Sequence, residues 1–132
     1  MPKELYKILI VDDDKAFLTM IASLVKTLSG VAAVETARSG KECLQKIKSF
    51  SPNLVLLDIG MDGMNGLVTL RFVKAMDQRT QIFFLSGHSL KDIKDAVGMV
   101  KPDGFFTKTQ FLDLLNSDLT LEEFLNVGRT AS

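Results

Sequence analysis

Cysteine occurs once in 132 residues, as Cys43, which excludes an intrachain disulfide framework and fits a reducing compartment. A surplus of either charge is also missing, since 16 Lys and Arg stand against 16 Asp and Glu for a formal net charge of zero. A general nucleic-acid binder needs a basic excess to displace counterions, so no direct nucleic-acid partner is expected. Long hydrophobic runs are absent: the apolar stretches extend over only a few residues, far below the ~20 that span a bilayer. Met1 to Lys7 lacks the apolar region of a signal peptide. These absences point to a cytoplasmic protein without a membrane partner. What is present suffices for a core, because 46% of the residues are hydrophobic and a compact chain of this size hides roughly two-thirds of the surface it exposes when unfolded. Residues 1–132 are expected to form a single domain.

Four short apolar runs stand out: Ile8-Leu9-Ile10-Val11, Leu54-Val55-Leu56-Leu57, Ile82-Phe83-Phe84-Leu85 and the briefer Phe105-Phe106. Unbroken by polar alternation, they read as strands covered on both faces, the habit of a parallel sheet. A weaker strand, Val31 to Ala37, lies between the first two. Helical periodicity fills the intervals. Phe17, Met20, Ile21, Leu24, Val25 and Leu28 follow an i, i+3, i+4, i+7 pattern, with Asp14 as the starting cap and Gly30 at the left-handed end. Ser39 and Glu42 are spaced as a capping box before Cys43, Leu44, Ile47 and Phe50, and Pro52-Asn53 ends that segment. A third helix from about Gly66 carries Leu67, Leu70, Val73 and Met76, and a fourth, after Ser89, carries Ile93, Ala96, Val97 and Val100. Strands and helices that alternate with short connections predict a doubly wound α/β fold, flavodoxin-like, around a five-stranded parallel sheet in the order 2-1-3-4-5.

Open sheets of this kind bind ligands beyond the carboxyl ends of their strands. The first run is followed by Asp12-Asp13-Asp14, the third strand by Asp58, the fourth by Ser86-Gly87-His88 and the fifth by Thr107-Lys108. Helix capping accounts for Asp14 but not for Asp12 and Asp13 facing Asp58 across neighbouring strands. Carboxylates crowded in this way repel, and one takes up a proton unless a cation intervenes. An oxygen-only ligand set suits a hard ion, and Mg²⁺ suits it best; Lys108 supplies further positive charge.

Ile8 to Asp14, the stretch Pro52 to Gly66 (with Leu57-Asp58-Ile59 and Met64-Asn65-Gly66), Ser86-Gly87, and Gly104-Phe105-Phe106-Thr107-Lys108 together resemble a two-component response-regulator receiver domain. The resemblance runs from about Lys7 to Lys108. It implies that Asp58 is the phosphoacceptor, attacking a phosphohistidine on a sensor histidine kinase or phosphotransfer protein. It also implies that Asp12, Asp13, Asp58 and the backbone carbonyl of Gly60 hold Mg²⁺, that Lys108 pairs with the acyl phosphate, and that Ser86 donates to a phosphoryl oxygen. Such a domain catalyses only its own phosphorylation and dephosphorylation, and signals to a downstream protein target as a population shift. In that shift Phe105, three residues before the lysine, turns inward as Ser86 moves; an ordinary core phenylalanine explains Phe105 equally well. A phosphorylation-dependent dimer is compatible with the resemblance.

Several positions depart from the family pattern. Asp62-Gly63 stands where a proline four residues after the phosphoacceptor is usual, so Asp62 adds a carboxylate near the metal or simply occupies a turn. Thr109 follows the lysine in place of a proline, whose cis bond costs ~3 kcal/mol in any other residue, so Lys108 is expected to be aimed less firmly. Gly60 and His88 fill the two variable positions that tune dephosphorylation in the family; His88 either positions water or is an exposed loop residue. Thr120 and Glu123 form a capping box for a last helix over Leu121-Glu122-Glu123-Phe124-Leu125. Residues 109–118 then read as an insertion before that helix, with Phe111, Leu114 and Leu115 in an extra helical turn or in one longer interrupted helix. The family's output surface lies nearby, so this stretch is expected to alter partner choice. Only a short tail follows Leu125, which leaves a stand-alone receiver or a fragment of a longer regulator.

Other classes fit less well. A flavodoxin-like electron carrier needs a Ser/Thr/Gly-rich phosphate loop where this chain has three aspartates. A phosphoaspartyl hydrolase needs a second Asp where Gly60 stands. A pseudo-receiver that binds partners without phosphorylation is disfavoured by the complete set of Asp12, Asp13, Asp58, Ser86 and Lys108.

Overall fold

The apolar runs become the strands of one parallel sheet. A computed structural model describes residues 5–60, 66–87 and 101–130. The elements run β1 (Tyr6–Val11), α1 (Lys15–Val25), β2 (Val31–Ala37), α2 (Gly40–Phe50), β3 (Leu54–Asp58), α3 (Gly66–Met76), β4 (Gln81–Ser86), β5 (Gly104–Thr107), α4 (Lys108–Leu115) and α5 (Leu121–Thr130). The strand order is β2-β1-β3-β4-β5, as the alternation predicts. The helix expected after Ser89, with Ile93 to Val100, lies outside the described residues. So do His88 and Asp62. Among the described residues no helix is long and apolar enough to cross a membrane.

Side chains alternate between the two faces of the sheet, and the core divides accordingly. Ile8, Ile10, Leu54, Leu56, Phe83, Leu85 and Phe106 face one layer, which also buries Leu18, Ile21 and Val25 of α1, Phe111 of α4 and Phe124 of α5. Leu9, Val11, Val55, Leu57, Ile82, Phe84 and Phe105 face the other, against Cys43 and Ile47 of α2 and Leu70 and Val73 of α3. Phe106, Phe111 and Phe124 meet edge to face, with centroids 5.2–6.4 Å apart, a favoured aromatic geometry.

The caps act locally as expected. Asp14 accepts from the Phe17 N–H at 3.1 Å. Ser39 accepts from the Glu42 N–H at 3.1 Å, while the Glu42 carboxylate reaches back to the N–H of Arg38 rather than that of Ser39. Thr120 and Glu123 form the reciprocal pair, with bonds of 3.0 and 3.3 Å. Two details differ from expectation. The buried side of α1 is Leu18, Ile21, Ala22 and Val25, whereas Met20 and Leu24 are exposed, because the helix seats a narrower stripe than its apolar residues span. The helix ends at Val25, and Leu28 packs on the core from a following turn; Gly30 adopts a positive φ of 103° at the end of that turn. Thr107 caps α4 by accepting from the Gln110 N–H at 3.0 Å, so a helix begins at Lys108 itself, covers most of residues 109–118 and is interrupted before α5, as in the second of the two expected arrangements.

Candidate functional site: an acidic crevice with one ammonium

Strand parity and the start of α4 bring three of the expected residues to one corner. Asp12 continues the Ile8, Ile10 series beyond β1 and Asp58 the Leu54, Leu56 series of β3, so both fall on the α1 side of the carboxyl edge, and Lys108, which opens α4 just after β5, reaches both. Asp12 and Asp58 are 1% and 7% exposed. Asp13 has the opposite parity and is exposed. Even so, one carboxylate oxygen each from Asp12, Asp13 and Asp58 lie within 4.8 Å of one another.

Backbone donors orient two of these carboxylates. Asp12 Oδ1 accepts from the Asp14 N–H at 2.9 Å, and Asp58 Oδ1 from the Gly60 N–H at 3.0 Å. Gly66 packs directly on the end of β3: a Cβ there would stand 2.5 Å from Ile59 Cα and 2.8 Å from the Asp58 carbonyl oxygen, so only glycine lets α3 start this close. Opposite the carboxylates, Lys108 Nζ lies 2.8 Å from Asp12 Oδ2, 3.9 Å from Asp58 Oδ2 and 4.4 Å from the centroid of the Phe17 ring. The short contact with Asp12 is poorly directed, and that buried oxygen has no well-aligned hydrogen bond; charge attraction holds the pair.

The electrostatics follow from this crowding. Burial pushes the Asp58 carboxyl above its ordinary pKa; the Gly60 N–H and the Lys108 charge pull it down, while Asp12 and Asp13 push it further up. Burial alone would lower the Lys108 ammonium, but its contact with Asp12 and the charges of Asp58, Asp12 and Asp14 outweigh burial, and its pKa is raised. Lys108 is therefore a fixed cation. The oxygen-only donor set, the unaligned Asp12 Oδ2 and the solvent-open Asp13 fit a divalent cation that retains waters.

Ser86 and Phe105 come from the two neighbouring strands. Ser86 ends β4 one residue beyond Leu85, the register partner of Asp58, and shares the parity of Ile82 and Phe84 on the α2–α3 side. Phe105 is on that same side, 2% exposed and packed in its core layer. Phe105 thus lies across the sheet from the Asp12–Lys108 pair. Sequence reasoning placed Phe17 only in the core; its place in the first turn of α1, directly above the carboxyl edge, was the available signal for a role beside Lys108.

Fold and site together define a class: a doubly wound parallel sheet whose carboxyl edge gathers three carboxylates and one ammonium. Residues 8–120 match the response regulator receiver domain, and the chain belongs to that family, which relays signals in two-component systems. It is 31% identical over 121 residues to chemotaxis protein CheY of Bacillus subtilis (strain 168), covering 86% of this chain and 98% of that protein. It is 32% identical over 105 residues to the nitrate/nitrite response regulator protein NarL of Escherichia coli (strain K12), covering 76% of this chain and 47% of the relative. The N-terminal domain of a response regulator/sensory box/GGDEF 3-domain protein from Carboxydothermus hydrogenoformans matches in structure with a TM-score of 0.71 at 26% identity, over 92% of this chain and 94% of that one. Against the protein-glutamate methylesterase/protein-glutamine glutaminases of Bacillus licheniformis and Clostridium acetobutylicum, the chain spans 20% and 26% of the relative's length.

Proposed function

We propose that Asp58 is the phosphoacceptor of a two-component relay, taking its phosphoryl group from the phosphohistidine of a sensor histidine kinase or phosphotransfer protein. In this reading Asp58 Oδ2 attacks phosphorus, the N–P bond of the phosphohistidine breaks, and an acyl phosphate forms on Asp58. The observation that carries the reading is the convergence of Asp12, Asp13 and Asp58 within 4.8 Å opposite the Lys108 ammonium. Asp12, Asp13, Asp58 and the Gly60 carbonyl would hold Mg²⁺, which when bound neutralises charge on the transferring phosphoryl group. Lys108 balances charge on the other flank, already paired to both buried carboxylates. Ser86 donates to a phosphoryl oxygen from the neighbouring strand end, and Phe105 responds on the far side of the sheet. The outcome is a changed protein-interaction surface in a single-domain cytoplasmic module.

Labelling by acetyl phosphate with Mg²⁺, read by mass spectrometry, tests this. Wild type should gain one phosphoryl group, and Asp58→Asn or chelation of Mg²⁺ should abolish the gain. Undiminished labelling of Asp58→Asn overturns the assignment; a wild type that takes no label leaves a phosphorylation-independent pseudo-receiver.

The proposed insertion, residues 109–118, sets partner choice in this reading. Its helix buries Phe111 in the core, so excision would disturb folding. Substitutions at the exposed Thr109 and Asp113 test the idea instead, and unchanged binding of every partner would refute it.

A further inference from the structure

We propose that the Phe17 ring is a positioning residue for Lys108, holding its ammonium over the acidic crevice. The inference rests on the reading of Asp58 as phosphoacceptor and Lys108 as its cationic partner. Lysine has a flexible four-carbon stem, and Thr109 gives the following bond no ring to stiffen it. Lys108 opens α4 behind the Thr107 cap, so its backbone is fixed but its side chain must cross to β1 and β3. Two groups bracket the ammonium there. Asp12 Oδ2 stands 2.8 Å away on one side and the Phe17 centroid 4.4 Å away on the other. The face of an aromatic ring attracts a cation, so the ring draws Lys108 in as well as covering it.

Phe17 is in turn held by the site it serves. Its N–H donates to Asp14 Oδ1 at 3.1 Å, and the Asp14 N–H donates to Asp12 Oδ1 at 2.9 Å. Asp12, Asp14, Phe17 and Lys108 are therefore linked in a circuit, by the backbone N–H bonds from Phe17 to Asp14 and from Asp14 to Asp12 and by the ammonium that meets both Asp12 and the ring. The circuit ties the first turn of α1 to the end of β5, and it sets where the ammonium waits before a phosphoryl group arrives.

The experiment compares Phe17→Leu, which keeps apolar volume without the ring, with Phe17→Tyr, which keeps the ring. Acetyl-phosphate labelling of Asp58 should slow roughly two- to fivefold in Phe17→Leu, as expected for a lost cation–π contact, and return to the wild-type rate in Phe17→Tyr. The ε-methylene protons of Lys108, shifted upfield by the ring in the NMR spectrum, should move downfield in Phe17→Leu and stay in place in Phe17→Tyr. Equal labelling rates in wild type and Phe17→Leu, or equal slowing in both variants, would overturn the proposal. So would Lys108 resonances that ignore the loss of the ring. A wild type that takes no label defeats the phosphoacceptor reading instead, and the NMR comparison still reports whether the ring holds the ammonium.

Discussion

Lys108 Nζ stands 2.8 Å from Asp12 Oδ2 and 3.9 Å from Asp58 Oδ2, so the ammonium rests on the neighbouring Asp12 carboxylate rather than on the one proposed to be phosphorylated. Burial raises the pKa of the acceptor carboxylate, and the more distant Lys108 charge offsets only part of that rise.

Replacing Lys108 by Met leaves Asp12 buried without its cation. Stability should fall by about 2 kcal/mol, less than the roughly 3–5 kcal/mol of a fully buried pair, because the Lys108 side chain is 26% exposed and water screens it. Mg²⁺ should restore part of the loss. Urea denaturation with and without Mg²⁺ measures both effects, and an unchanged midpoint in the metal-free protein would show that the pair contributes nothing.

Asp13→Asn removes one of three mutually repelling charges. The metal-free protein should melt a few degrees higher, while affinity for Mg²⁺ drops roughly tenfold or more. Calorimetry across a Mg²⁺ series separates the two. If the Mg²⁺-dependent rise in Tm is the same in variant and wild type, Asp13 is not a ligand.

Gly66→Ala forces a methyl group to within 2.5 Å of Ile59 Cα and 2.8 Å of the Asp58 carbonyl oxygen. Overpacking of this kind costs about 1–3 kcal/mol, and displacement of the β3 end should slow Asp58 labelling as well. Gly87→Ala is the control, since a Cβ there meets nothing within 4 Å. Equal stability of the two variants would contradict the steric account.

Cys43 is wholly buried in the α2 layer, and burial pushes its thiol from 9.0 up to about 12. The folded state thus holds the thiol proton more tightly than the unfolded chain does. Stability from this group is complete below pH 9.0, the ordinary value, and is lost as pH rises from there toward about 12. The loss approaches about 1.4 kcal/mol per pH unit. Cys43→Ala should flatten the alkaline decline in denaturation midpoints, and native Cys43 should resist thiol reagents until the protein unfolds. Rapid labelling of the folded protein would disprove the burial argument.

Much of this molecule is legible in its sequence because parallel strands leave a simple record. Each interior strand is an apolar run, and the polar residue that ends it must emerge at the carboxyl edge. Asp12, Asp58, Ser86 and Lys108 were therefore identifiable before any coordinates, and period-two alternation also puts Asp12 and Asp58 on one face. Capping residues Asp14, Ser39 and Thr120 were legible for a similar reason: the bonds they make span three residues and depend on nothing distant.

Other features needed the tertiary structure. Met20 and Leu24 carry the apolar period of α1 yet face outward, because the angle at which the helix lies on the sheet decides which part of a broad stripe is buried. Lys108 reaches Asp12 first, and the Phe17 ring covers its ammonium, because α4 starts at Lys108 while α1 overhangs β1. Those distances join elements about ninety residues apart in the chain, and no local pattern encodes them. The sequence by itself determined which charges end the strands; only the packing of α1 and α4 against the sheet decided how those charges pair, since an ion pair depends on separation in space and not on order along the chain.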